Sequence, residues 1–116
     1  MHDQLGDGAA DRVYRLIDRH AIQCDLQRNG WLRAAHAEPA LRDVEEMAAE
    51  LQGRGQDVEV LSRDEFARRS GTSVYAGGMH DKRAAGINPL AYVRGLAAAA
   101  IRAGAAVHTG SPAEKI

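Results

Sequence analysis

The stretch from Ala84 to Ile116, AAGINPLAYVRGLAAAAIRAGAAVHTGSPAEKI, constrains the fold more than any other part of the chain. It reads as a turn, a long helix, a glycine stop and a short strand. Asn88 can accept hydrogen bonds from the free N–H groups of a first helical turn. Pro89 fills the first helical position, where no N–H is required. Leu90, Val93, Leu96, Ala97, Ala100 and Ile101 recur at spacings of three and four and make one apolar stripe. Gly104 can take the left-handed conformation that closes a helix. Ala105 to Thr109 then reads as a buried strand. The alanines from Ala97 to Ala100 are narrow enough to let a helix lie close on a sheet, so this stretch predicts a helix–strand unit of a layered domain.

The residues before it supply the other layers. Val13, Leu16, Ile17 and His20 share one face, which predicts a helix from Ala9 to His20 with Asp7 as its cap. Ala21 to Leu26 alternates apolar and polar, as an extended edge segment or a short strand does. Gln27 to Gly30 is a turn containing the Asn-Gly pair typical of hairpins, and Trp31 to Ala35 follows as a strand. A helix is expected from Pro39 to Leu51, with Leu41, Val44, Ala48 and Leu51 as its seam and the charges from Arg42 to Glu50 mostly on the wet side. Asp57 to Leu61 reads as a strand. Ser62 and Glu65 form a capping box before a short helix, Asp64 to Arg69, anchored by Phe66. Ser73 to His80 is a further strand, and Asp81 to Arg83 a charged turn. The order implies an α+β fold: a small mixed or antiparallel sheet of four to five strands, helices packed on one face, and an αβ unit at the end.

At 116 residues and 45% hydrophobic content there is material for one modest core. With 15 basic and 16 acidic residues, the net charge of −1 provides no field to attract nucleic acid or an anionic membrane surface. No run of apolar residues is long enough to span a bilayer. The first residues, MHDQLGDGAADR, lack the basic and apolar regions of a signal peptide. The single cysteine, Cys24, cannot form an internal disulfide. Together these features predict a soluble cytoplasmic protein.

Few residues carry a chemical signature. Gly53-Arg54-Gly55 begins like a phosphate-binding turn, but it follows a helix and precedes a strand. A dinucleotide loop requires the opposite order, because the helix N-terminus holds the pyrophosphate. It therefore reads as a helix stop, and Gly77-Gly78 as a bulge or a close approach of backbone. His2, His20, His36, His80 and His108 have no i, i+4 pairing and no CxxC partner, so no metal ligand set is expected. His80-Asp81 could be a base with its orienting carboxylate, but a histidine at a strand end in a solvated turn is the simpler reading. Cys24 has no basic group or helix N-terminus beside it in sequence, which predicts a small buried hydrophobe. Trp31 reads as a core aromatic or, less simply, as a residue facing a cleft. No catalytic residue is assigned on this basis.

Two segments nevertheless carry a family pattern. RLIDRHAIQCDLQRNGWLRAAH, from Arg15 to His36, and YAGGMHDKRAAGINPLAYVRGLAAAAIRAGAAVHTGSP, from Tyr75 to Pro112, resemble the FAD-dependent oxidoreductases of the D-amino-acid-oxidase (DAO) type, and in particular the γ-glutamylputrescine oxidase branch. Gly86, Asn88, Pro89, Leu96, Gly104 and Ala105 occupy the positions of the segment by which such enzymes return from the substrate domain to the FAD domain. The resemblance implies that residues 1–83 are substrate-domain-like and that 84–116 resemble an αβ unit of the FAD domain, the two forming one compact unit here. It implies FAD in the intact family, with hydride transfer from the C–N bond of a small amine or amino acid to the flavin. It also implies a backbone contact from Ala113 to the adenine end of the cofactor. The family's G-x-G-x-x-G turn has no match in these 116 residues, so the chain is expected to be a middle slice of such an enzyme, to bind no FAD alone and to be inactive alone. The alternative is a non-catalytic binding domain. On either reading, exposed apolar faces would lead to a homo-oligomer.

Overall fold

The computed structural model describes residues 8–116, so the expected cap at Asp7 lies outside the described residues. The elements follow in the order α1 (Ala9–Arg19), β1 (Trp31–Ala35), α2 (Glu38–Gly53), β2 (Val58–Leu61), α3 (Arg63–Ser70), β3 (Gly77–Asp81) and α4 (Pro89–Arg102).

The helices begin and end where local chemistry directs them. Asn88 Oδ1 accepts from Ala91 N at 3.0 Å and Pro89 opens α4. Ser62 Oγ accepts from Glu65 N at 3.2 Å at the start of α3. Three helices share one ending. In α1, α2 and α4 the second residue past the cap bonds back to the carbonyls of Ile17, Leu51 and Ala100, at 3.0, 3.0 and 2.9 Å. This motif places the residue before it in the left-handed region. Gly55 (φ +78) and Gly104 (φ +101) take that place in α2 and α4, but in α1 it falls to Ala21, at φ 49. A β-carbon there is strained by about 1–2 kcal/mol, and glycine returns about 0.4–1 kcal/mol of that through the freedom of the unfolded chain. Ala21→Gly is therefore expected to raise stability by about 0.5–1 kcal/mol. The readout is a higher urea midpoint with an unchanged slope.

The sheet has three strands in the order β1-β3-β2, with β3 antiparallel to both neighbours. Trp31 lies opposite Asp81 and Ala35 opposite Gly77, while Val58 faces Asp81 from the other side. Alternation along these strands sends Ala35, Val58 and Met79 to one face. There they meet Val44 and Ala48 of α2, and Leu41, Met47 and Leu51 close over the cluster. The opposite face receives Gly78 and His80, and α3 lies over it. Phe66, 2% exposed, sits against Gly78 and meets Tyr75 edge to face at 5.6 Å.

Among the described residues the sheet has three strands, not the expected four to five. Ala21 to Leu26 forms no strand, because Ala21 and Asp25 both adopt positive φ, which breaks the extended ladder. Ala105 to Thr109 forms no strand either. It runs without a partner strand, and every residue from Ile101 to Ile116 is exposed. The chain therefore does not end in an αβ unit. Nor do the helices share one face, since α2 and α3 lie on opposite sides of the sheet.

A second apolar cluster lies apart from the first. Val13 and Ile17 of α1 pack with Ala91, Tyr92 and Leu96 of α4 around Ile22, Cys24, Leu26 and Ile87. Gly95 allows the close approach, since a β-carbon there would run into Ile22. The two clusters have no residue in common. The radius of gyration is 18.5 Å, well above the roughly 13 Å of a compact domain this long. The chain is thus a sheet layer and a helix pair joined end to end, with an extended C-terminal segment.

Candidate functional site

Two polar constellations and one apolar face stand out. The first constellation lies on the α3 side of the sheet. Arg69 Nη1 is 3.1 Å from Glu59 Oε2 and 3.1 Å from His80 Nδ1, and His80 Nε2 is 3.1 Å from the Asn29 carbonyl oxygen. A guanidinium only donates, so Nδ1 accepts and Nε2 carries the hydrogen given to Asn29. Lys82 Nζ adds a more distant positive charge, 3.8 Å from Glu59. The hydrogen bond from Arg69 is the main reason the Glu59 carboxyl is held below its usual range. Both ring nitrogens of His80 are thus engaged within the chain.

The second constellation sits where β3 ends. Asp81, 9% exposed, accepts from Arg83 Nε at 3.0 Å, from Arg83 Nη2 at 2.8 Å and from the Arg83 backbone N–H at 3.0 Å. Tyr14 Oη donates to the Arg83 carbonyl, and the Arg28 guanidinium lies 4.1 Å over the Tyr14 ring. The Asp81 carboxylate is therefore committed to Arg83 and does not orient His80. The Arg83 side-chain hydrogen bonds lower the Asp81 pKa, and burial opposes them only partly. A carboxyl lowered in the folded state stabilises the fold above its unfolded value, near pH 4, and loses that contribution as pH falls through the folded value. The parent is expected to lose stability on acidification below about pH 4 more steeply than Asp81→Asn. Urea midpoints measured across that range would check it.

The apolar face belongs to α4 and the segment after it. Leu90, Val93, Ile101 and Val107 are each more than half exposed. Of the expected stripe, only Leu96, Ala97 and Ala100 are half-buried. The buried side of the helix is turned about one residue and runs through Ala91, Tyr92, Leu96 and Ala99 toward α1. An open cleft of about 220 Å³ between the helices is lined by Leu16, His20, Leu96, Ala99, Ala100 and Ala103. Ala113 lies in the exposed segment beyond this helix.

Cys24 is buried, 1% exposed, and among the described residues no basic side chain is hydrogen-bonded to it. Trp31 is 52% exposed and so is not a core residue. It stands on an edge strand, where no second layer covers it. Gly53-Arg54-Gly55 ends α2. Gly77 and Gly78 mark close backbone approach: a β-carbon on them would meet the Leu61 and Arg33 carbonyl oxygens respectively. His36 lies exposed past β1 and His108 in the C-terminal segment. Among the described residues no group of three or more His, Cys, Asp or Glu could hold a metal, and no helix is long and apolar enough to cross a membrane. The Asp81–Arg83–Tyr14 arrangement was not legible beforehand, because its members are up to 69 residues apart.

Among the described residues, no glycine turn leads from a strand into a helix in the manner of a dinucleotide loop. A dinucleotide needs backbone N–H groups at a glycine turn leading from a strand into a helix. Here the paired glycines either end a helix or are packed within β3, with no room at Gly78 for even a methyl group.

Comparison with known proteins gives the family context. The chain is 28% identical over 122 residues to a probable oxidoreductase, OrdL, of Haemophilus influenzae. The match takes in 94% of this chain but 28% of that protein. Its fold is similar to glycine oxidase from Geobacillus kaustophilus, with a TM-score of 0.73, 22% identity, and coverage of 87% of this chain and 28% of that one. Glycine oxidase from Bacillus cereus is similar at a TM-score of 0.68 and 14% identity, covering 81% and 26%. The chain thus spans between a quarter and a third of the length of these relatives. The sequence pattern of the DAO family, described as FAD dependent oxidoreductase, matches residues 2–116. Nearly the whole chain follows that pattern, and the protein belongs to the DAO-type family of FAD-dependent oxidoreductases.

Proposed function

We propose that these residues are part of an FAD-dependent oxidoreductase that oxidises the C–N bond of a small amine or amino acid, and that they neither bind flavin nor turn over substrate by themselves. The observation that carries this reading is the family match across residues 2–116 beside a helix, α4, whose outer face is bare. Residues 1–83 supply the substrate-side portion with its three-stranded sheet. Residues 84–116 rejoin a nucleotide-binding layer, and α1 packs against that return helix. In the assembled enzyme the backbone at Ala113 would meet the adenine end of FAD. The chemistry is the cofactor's; the protein's part is orientation and electrostatics. The balanced charge supports a small-molecule partner over nucleic acid or membrane, and a cytoplasmic setting fits the lone, buried Cys24.

A test lies in the DNA around the reading frame. Translation of the region upstream of Met1 is expected to give a strand–GxGxxG–helix pattern. Absence of that pattern would favour the second reading, a non-catalytic domain that self-associates. The exposed Leu90, Val93 and Ile101 support that alternative. It requires a dimer or larger species by size-exclusion chromatography with light scattering.

A further inference from the structure

The sheet layer and the helix pair communicate through two connectors, residues 20–30 and 82–88. These run alongside each other in opposite directions. Gln27 and Gly86 exchange backbone hydrogen bonds at 2.8 and 2.9 Å, Gly30 N donates to Ala84 O at 3.1 Å, and Asn88 N donates to Cys24 O at 2.7 Å. Among the described residues, the two non-glycine residues with positive φ, Ala21 and Asp25, both lie in the first connector. Backbone strain of this kind persists only where its surroundings enforce it, and it gathers at segments that switch or bend. Among the described residues the neighbouring apolar clusters share no residue, so no common hydrophobic core joins the layers. One polar chain does cross the joint: Asp81 at the end of β3 grips Arg83, and the Arg83 carbonyl takes the hydrogen bond of Tyr14 on α1.

We propose that the paired connectors are a hinge between the sheet layer and the helix pair, and that Asp81, Arg83 and Tyr14 form the lock that holds it in one orientation. The ladder across the connectors is short and leaves freedom to bend. Asp81 fixes the conformation of the turn, and Tyr14 fastens that turn to α1. Arg28, stacked over Tyr14, restrains the same ring from the first connector. This inference rests on geometry alone and is independent of the flavin reading.

The test is a distance measurement on the full chain. Spin labels are attached at Glu46→Cys on α2 and Ala98→Cys on α4, both exposed positions, while Cys24 is shielded by burial. The parent is expected to give one narrow distance distribution. Asp81→Asn, which weakens the grip on Arg83, is expected to lose the single narrow peak and give a broad distribution at unchanged helical circular dichroism. Tyr14→Phe keeps the ring and its packing but removes the hydrogen bond, and is expected to broaden the distribution as well. It decides the matter if Asp81→Asn unfolds. A narrow, unchanged distribution in Tyr14→Phe and in folded Asp81→Asn would overturn the lock. A broad distribution in the parent would overturn the claim that one orientation is held.

Discussion

Replacing Phe66 with alanine is expected to destabilise the chain by about 3–5 kcal/mol. Phe66 is 2% exposed, and its ring is the main apolar contact between α3 and the sheet. It fills the space above Gly78 and meets Tyr75 edge to face at an interplanar angle of 74°. Apart from Phe66, Ala67 and Ser70, the residues of α3 are charged, and a helix of 8 residues is not stable on its own. Its loss would also release Arg69 from Glu59 and His80. Against a typical total stability of about 5–15 kcal/mol, such a change is large. Urea denaturation followed by circular dichroism would measure it, and a loss under about 1 kcal/mol would show that α3 contributes little to holding the sheet.

The second large effect is expected at Gly78. An added methyl group would strike the Arg33 carbonyl oxygen on β1 and the Phe66 ring. The ring can tilt, but the carbonyl belongs to the β1–β3 ladder and cannot move without breaking the Ala34–Gly78 pairing. Gly78→Ala is therefore expected to cost at least the upper part of the roughly 1–3 kcal/mol usual for overpacking. The obstacle can be identified by a double-mutant cycle with Phe66→Leu. If the backbone oxygen dominates, the two losses add. If the ring dominates, the smaller leucine relieves part of the Gly78→Ala cost and the cycle shows coupling.

The sequence was most informative where structure is set locally. Asn88, Pro89 and Gly104 mark both ends of α4, and Ser62 marks the start of α3, because each acts on backbone groups within a turn of itself. The strands were harder to read. Ala21 to Leu26 has the alternation of a strand and Ala105 to Thr109 reads as a buried one, yet among the described residues neither has a ladder partner, and a ladder is a property of two segments. Trp31 failed as a core residue for the same reason: burial depends on what lies across from β1, and β1 is an edge. The four apolar residues of α4 and the following segment that remain exposed illustrate the point again. Their periodicity fixes a face but not its occupant. The polar constellations were invisible at sequence level. Arg69 reaches residues 10 and 11 positions away, and Tyr14 reaches Arg83 across 69. The glycines were read more reliably. Gly53-Arg54-Gly55 stops a helix, and Gly77-Gly78 permits close backbone approach, because the order of elements around them excluded a phosphate loop.

The chain has the pattern of an FAD-dependent oxidoreductase, and the proposal is that it binds no FAD by itself. The direct measurement is the visible absorbance of the purified 116-residue chain after incubation with excess FAD and removal of free cofactor by gel filtration. The expected result is a protein peak without the flavin band. A stoichiometric flavin band travelling with the protein would contradict the account, since it would show that these residues hold the cofactor without the glycine turn that a dinucleotide requires.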